Sequence, residues 1–133
     1  MNPLIPPAFY ALIAAPTVAV LSTTQHNGAP HAVPVWYDYD AQHLYITTAT
    51  TTVKYRNLAA DPRAVVLFID PHNTDRYCAV HTRLTDTSDA ATGLAHLHTL
   101  AQRYMGVPKY PYANATDVYC RLTLQITRIS SLG

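Results

Sequence analysis

Hydrophobic alternation with a period of two recurs along the chain, and it predicts β-strands before anything else. Residues 118–130 alternate, with Val118, Cys120, Leu122, Leu124 and Ile126 on one face and Tyr119, Arg121, Thr123 and Gln125 on the other. Residues 77–87 place Cys78, Val80, Thr82 and Leu84 opposite Tyr77, His81 and Arg83. Residues 64–69, AVVLFI, are apolar on both faces and predict a strand in the middle of the core. Three further strands are predicted over 17–24, 30–39 and 43–49. The first pair is joined by His26-Asn27-Gly28, the second by Asp40-Ala41-Gln42, and together they read as a meander.

Three helices interrupt this pattern. Pro7 opens one over 7–15 and Pro16 stops it. A second runs from Val53 to Ala60 and ends before Asp61-Pro62, because the residue before proline resists the α region. The third runs from an N-cap at Ser88 to about Tyr104, with Leu94, Leu97, Ala101 and Tyr104 on its buried face. The order α-β-β-β-α-β-β-α-β predicts an α+β fold, mainly antiparallel β, built round a barrel. No linker divides residues 1–133, which read as one domain.

Composition narrows the function classes. Only 13% of the residues are charged, the net charge is +1, and all eight acidic residues are Asp. Such a surface argues against nucleic acid as the main partner and suits a chain that covers part of itself in an oligomer. Cys78 and Cys120 lie on apolar strand faces and read as buried free thiols in a reducing compartment. The N-terminal stretch has no basic segment and is broken by Pro3, Pro6, Pro7 and Pro16, so neither a signal peptide nor a membrane span is expected. The cytoplasm is the expected location.

With glycine only at positions 28, 93, 106 and 133, neither GxGxxG nor a Walker loop can be formed. No metal site is expected, since His96 and His98 point roughly 200° apart on a helix. No nucleophile elbow is present. What remains is an anion-holding segment. Thr47 and Thr48 end a strand, Thr50, Thr51 and Thr52 follow, and Lys54 and Arg56 sit in the first turn of the next helix. Cations there are unfavourable unless an anion is bound. A solvated helix with surface cations accounts for the same residues, and spacing alone weighs the two evenly. The strand Pro34-Val35-Trp36-Tyr37-Asp38 is a second candidate. Its proline lacks a ladder donor, and the lone Trp beside it offers a plane for a heterocycle, or a piece of core or interface.

From Val20 onward the chain resembles the pyridoxamine-phosphate-oxidase-like flavin and deazaflavin oxidoreductases with an FMN-binding split barrel. The matching pieces, in order, are LSTTQHNGAPHAVPVWYDYD, LYITTA, VKYRNLAADPRAVVLFID, RYCAVHTRLTD, LAQRYMG, YPY and VYCRLTLQITRISSLG. The set looks most like the branch described as F420-dependent. The resemblance implies a split β-barrel homodimer with coenzyme F420, or alternatively FMN, at the interface. It places the phosphate near Lys54 and the preceding threonines and the ring against Pro34, Val35 and Trp36, with Arg56 and Asn57 in the family's R-N-L. It implies hydride transfer to or from a small organic substrate, with His31, Tyr110 and Tyr112 lining the pocket and no side chain singled out as catalytic. Thr50-Thr51-Thr52 departs from relatives that carry arginine there, which weakens the expected grip on phosphate. A protein that binds flavin, deazaflavin or haem without turnover is the alternative.

Overall fold

A computed structural model describes residues 1–133. After a 3-10 turn at Pro7–Phe9, the elements are α1 (Tyr10–Ala14), β1 (Ala19–Thr24), β2 (Pro30–Val35), β3 (Asp38–Tyr39), β4 (His43–Ala49), α2 (Val53–Ala60), β5 (Arg63–Ile69), β6 (Tyr77–Thr87), α3 (Ala90–Met105) and β7 (Tyr119–Leu132). All seven strands form one antiparallel sheet in the order β2-β1-β5-β6-β7-β4-β3. The two edge strands, β2 and β3, are joined through only Trp36 and Tyr37. Two residues reach across an open sheet only if it curls until its edges meet. The fold is therefore α+β, a split β-barrel with flanking helices.

This geometry corrects the expected meander. The long strand over 30–39 breaks at Trp36-Tyr37, and β4 pairs with β3 and β7, across the split from β2 rather than beside it. Both predicted turns join strands that pair, β1 with β2 and β3 with β4, but no turn signal marks the break at Trp36-Tyr37 that parts the two hairpins. The first hairpin closes through a three-residue loop, with Gln25 N–H donating to the Ala29 carbonyl and Gly28 at φ 85°, a position that favours glycine.

The barrel interior is filled from alternate positions. Leu21, Leu44, Ile46, Val66, Phe68, Val80, Leu122 and Leu124 are all fully buried, and Ile5, Phe9 and Ile13 plug one end. The last strand departs from strict alternation. Val118 precedes the strand and is exposed, and a register shift beside His81–Thr82 changes the phase past Ile126. Thr123, expected on the solvent face, is buried directly across from Tyr45.

The break at Pro16 leaves the last carbonyls of α1 without helical partners, and distant side chains satisfy them. The Tyr37 hydroxyl lies within hydrogen-bond distance of the Ile13 and Ala15 carbonyls at 2.7 and 2.9 Å, and Arg103 donates to Ala14 and Ala15; just past the proline, the Tyr104 hydroxyl donates to Thr17 at 2.7 Å. These contacts tie the N-terminal segment to the Trp36-Tyr37 crossing and to α3.

α3 packs on the outer face of β4 and β7. Asp89, not Ser88, is its N-cap, accepting from Thr92 N–H at 2.8 Å, while the Ser88 hydroxyl accepts from Arg121 N–H. Its buried residues are Gly93, His96, Leu97, Leu100 and Ala101, and Leu94 is exposed. The buried face is thus rotated from the expected one, because Gly93 sets the contact line. A Cβ on Gly93 would lie 2.0 Å from the Tyr119 carbonyl oxygen and 2.7 Å from Cys120 Cα, both backbone atoms that cannot turn aside. Gly93→Ala is expected to destabilise the protein by about 2–3 kcal/mol despite the better helix propensity of alanine. Urea unfolding, read as a lower midpoint at unchanged slope, checks this.

Candidate functional site

A cleft of about 600 Å³ opens along the split between the sheet edges. One wall is Pro34, Val35 and Trp36 with Val18; the other is Ile46, Thr47, Thr48 and Ala49 with Tyr119. Leu97 and Leu100 of α3 form part of its lining, Thr52 and Lys54 close one end, and Tyr110 and Tyr112 stand at the mouth. The cleft therefore gathers nine of the residues singled out from sequence: Pro34, Val35, Trp36, Thr47, Thr48, Thr52, Lys54, Tyr110 and Tyr112.

Trp36 is held by aromatic packing. Its ring stacks on Tyr104 at 4.9 Å and 3°, and meets Tyr110 edge-on at 6.0 Å. The Pro- and Tyr-rich loop is pinned to α3 where Tyr110 N–H donates to His98 Nδ1 at 3.0 Å. His98 thus helps to place Tyr110 in the cleft, a role that no local motif announces.

The threonine run is less available than its composition implies. Thr52 caps α2, with its hydroxyl accepting from Tyr55 N–H, and lies within hydrogen-bond distance of the Ala49 carbonyl and of the Thr48 hydroxyl at 2.8 Å. Thr50 and Thr51 lie outside the cleft. Arg56 turns back to the Thr51 carbonyl at 3.1 Å, and Asn57 is buried, donating to the Thr23 hydroxyl at 3.0 Å. His31 sits on β2, also outside the cleft. Lys54 remains. It lines the cleft, it pairs with no carboxylate, and burial pulls its pKa below the ordinary lysine value. An unpaired, half-buried cation beside a helix N-terminus is stabilised by an anion.

A polar cluster not anticipated from sequence lies between α3 and the sheet. The buried His96 places Nδ1 2.6 Å from the hydroxyl of Thr47, and its Nε2 lies 3.7 Å from Asp38. Tyr45 donates to Asp40 at 2.5 Å, and Arg121 lies over the Tyr45 ring at 5.0 Å. Burial opposes ionisation of Asp40, but the Tyr45 hydroxyl and the N–H groups of Gln42 and His43 outweigh it and lower the pKa to about 2. The signal for His96 was its i, i+4 spacing from Leu100, which puts it on the buried face of α3. No three His, Cys, Asp or Glu side chains come together in metal-binding geometry.

A curled antiparallel sheet with a largely apolar cleft along its split, an aromatic side chain on one wall and a half-buried cation at one end defines a split-barrel protein. Residues 5–125 match the family model described as pyridoxamine 5'-phosphate oxidase, and the chain belongs to that family. Among solved structures it is similar to one named F420 reductase, at 29% identity and TM-score 0.84, over 95% of this chain and 98% of that one. It is similar in fold to a conserved hypothetical protein from Mycobacterium tuberculosis, at 19% identity and TM-score 0.75, over 96% and 84% of the two chains. It also shares its fold with a FAD-binding protein from Mesorhizobium loti, at 18% identity and TM-score 0.67, over 91% and 88%. No helix is long and apolar enough to cross a membrane.

Burial first, and Arg121 second, lower the pKa of His96 below its ordinary value, with Asp38 offsetting part of the shift. A base whose folded pKa is lowered binds its proton more readily when unfolded. Stability is therefore expected to be highest above about pH 6.5, the unfolded imidazole value, and to fall as pH drops from there to the folded value. His81 shifts in the same direction. His96→Leu is thus expected to flatten part of the decline, not all of it, in urea midpoints compared between pH 8 and pH 5.

Proposed function

We propose that the protein is an oxidoreductase that moves a hydride between a deazaflavin, coenzyme F420, and a small organic substrate, with FMN as the alternative cofactor. The observation that carries this reading is Lys54, an unpaired half-buried cation at one end of an apolar cleft whose wall is Trp36. The overall likeness to the F420 reductase supports it. The residues fit such a group in three respects. Lys54 and the leading N–H groups of α2 are placed to meet an anion, Pro34 to Trp36 offer an apolar wall, and Leu97 and Leu100 help to keep water out. When bound, the ring supplies the centre that gives or takes the hydride; the chain binds, orients and shields it.

The anion grip assigned to Thr50, Thr51, Thr52, Arg56 and Asn57 narrows to Lys54 and the helix N-terminus, since the Thr52, Arg56 and Asn57 side chains have partners within the chain. Arg103 is committed to the carbonyls of α1, and Arg76 pairs with Asp70 and the Ala8 carbonyl. Binding carried by so few cations depends weakly on ionic strength. Tyr110 and Tyr112 border the substrate's entry. No carboxylate or imidazole lines the cleft, and this favours, as a second reading, a protein that holds the cofactor without turnover. Inability of the loaded protein to exchange hydride with any acceptor would select it.

Residues 1–133 act as one unit, as a homodimer, in the cytoplasm. Support for the dimer comes from the outer face of β1, β5 and β6. Pro34, Val20, Leu67, Ala79 and Ser130 form one uncharged cross-strand row, and Ile69, Tyr77 and Leu132 lie in the next. Ile69, Tyr77 and Leu132 are exposed. A second copy on this face would cover the row and reach the cleft at Pro34, which lines both.

Lys54→Ala is expected to weaken cofactor binding about ten- to a hundredfold, the effect of a lost charge-assisted contact. Paired titrations with F420 and FMN at low and high salt, read from quenching of Trp36 fluorescence, check this. Equal affinities for the variant and the parent would move the anion site elsewhere, and tighter FMN binding would overturn the choice of cofactor. Sedimentation is expected to give a dimer at micromolar concentration, and Leu67→Arg a monomer with weakened cofactor binding. A parent protein that sediments as a stable monomer would overturn the interface.

A further inference from the structure

The wall of the cleft carries a hydroxyl whose polarity is set from behind. Thr47 lines the cleft, and its Oγ1 lies 2.6 Å from Nδ1 of His96 on α3. The other ring nitrogen, Nε2, is buried without a hydrogen-bond partner in the chain. A histidine that served packing alone would normally have both nitrogens satisfied.

The groups facing His96 decide where its proton sits. From β3, Asp38 presents Oδ2 3.7 Å from Nε2. From β4 come Thr47 and the edge of the Tyr45 ring, 6.3 Å between centroids. From β7 comes the cation of Arg121, which lies over the Tyr45 ring. Asp40 and His43 lie further out, bonded to each other and to Tyr45. On α3 itself, His98 is occupied by Tyr110 N–H. A carboxylate therefore stands opposite Nε2. A lone pair on Nε2 would be repelled by it, and an N–H is attracted. The neutral ring then carries its hydrogen on Nε2, and Nδ1 must accept. Thr47 has one hydroxyl hydrogen, and it goes to Nδ1. Only lone pairs remain to meet a ligand.

We propose that His96, oriented by Asp38, fixes the Thr47 hydroxyl as a hydrogen-bond acceptor in the cleft wall, so that the site selects a heterocycle presenting an imide N–H to Thr47. This rests on the heterocycle-binding reading above and adds the ring chemistry the site takes. Flavin and deazaflavin rings both carry such an imide, so the selection is for the shared pyrimidine edge, against rings whose nitrogen is blocked. His96 is a positioning residue; Thr47 makes the contact. Acid reverses the device. A protonated His96 has two N–H groups, Nδ1 then donates to Thr47, and the hydroxyl hydrogen swings toward the ligand. Burial, offset in part by Asp38, lowers the His96 pKa and so favours the neutral ring.

Two measurements test this. The first is ligand-free: nitrogen-15 NMR of the histidine rings in the full chain at pH 8. The expected result is the Nε2–H tautomer of His96, with an Nδ1 resonance that moves in Thr47→Val as its hydrogen bond is lost. An Nδ1–H tautomer overturns the inference and leaves the heterocycle reading intact. The second uses lumiflavin, whose single N–H donor is the imide, and its N3-methyl derivative, with Trp36 quenching as the readout. The parent is expected to bind lumiflavin about tenfold more tightly than the methylated ring. Thr47→Val should shrink that preference to within about twofold, and Thr47→Ser should restore it. Lumiflavin binding by the parent should weaken as pH falls through the His96 pKa, and binding by Thr47→Val should not. A preference that survives unchanged in Thr47→Val reflects steric fit and overturns the inference. If neither ring binds the parent, the heterocycle reading is overturned, and with it the ligand half of this inference.

Discussion

Two residues, Trp36 and Tyr37, carry the chain from one edge of a seven-stranded sheet to the other, and the rest of the architecture follows from that span. An open sheet of that many strands is far wider than a two-residue link, so the sheet has to curl until the edges meet. The closure is incomplete because Pro34 has no N–H to donate and β3 is only two residues long. The resulting split is the cleft. Trp36 sits at the crossing itself, which puts the chain's only indole on the cleft wall.

The crossing holds only because other elements anchor it. Tyr37 is fully buried against Phe68, and burial, with the nearby Tyr104, raises its phenol well above the ordinary tyrosine range. Its hydroxyl, with Arg103, takes up the carbonyls that Pro16 leaves open at the end of α1, and Tyr104 bonds the Thr17 carbonyl just beyond. Tyr104 then stacks its ring on Trp36. One set of contacts therefore caps a helix, seats the N-terminal segment and fixes the cleft wall. α3 supplies Arg103 and Tyr104, and its seat is set by Gly93 against the backbone of β7.

The cleft divides its polar work between its two ends. Near α2 a cation is kept short of partners, while the threonines around it bond to one another and to the backbone. Near α3 the hydroxyl of Thr47 bonds to a buried imidazole, whose other nitrogen lies 3.7 Å from the Asp38 carboxylate. The middle is apolar and aromatic. Polar groups set in a mainly apolar wall are each worth more in binding than they would be in water.

Alternation determined which positions face the core along most strands, and the proline and Asn-Gly signals placed nearly every break within a residue or two. The ordered family pieces pointed to the split barrel, and Pro34 to Trp36 and Lys54 were legible as candidates from local chemistry alone. Local pattern placed the two hairpins but not how they sit in the sheet. β2 and β4 look like neighbours in a meander, yet they face each other across the split without pairing, because that arrangement depends on closure and closure is a property of the whole sheet. Nor did it show that Thr52, Arg56 and Asn57 have partners of their own, since those partners are the backbone carbonyls of Ala49 and Thr51, which no side-chain pattern reports, and Thr23, 34 residues away from Asn57. The link between His96 and Thr47 spans 49 residues and exists only because Gly93 lets α3 approach the backbone of β7. Periodicity reports the environment of a residue averaged over its neighbours in sequence; a hydrogen bond between two side chains depends on their positions to a fraction of an ångström, and only tertiary packing sets those.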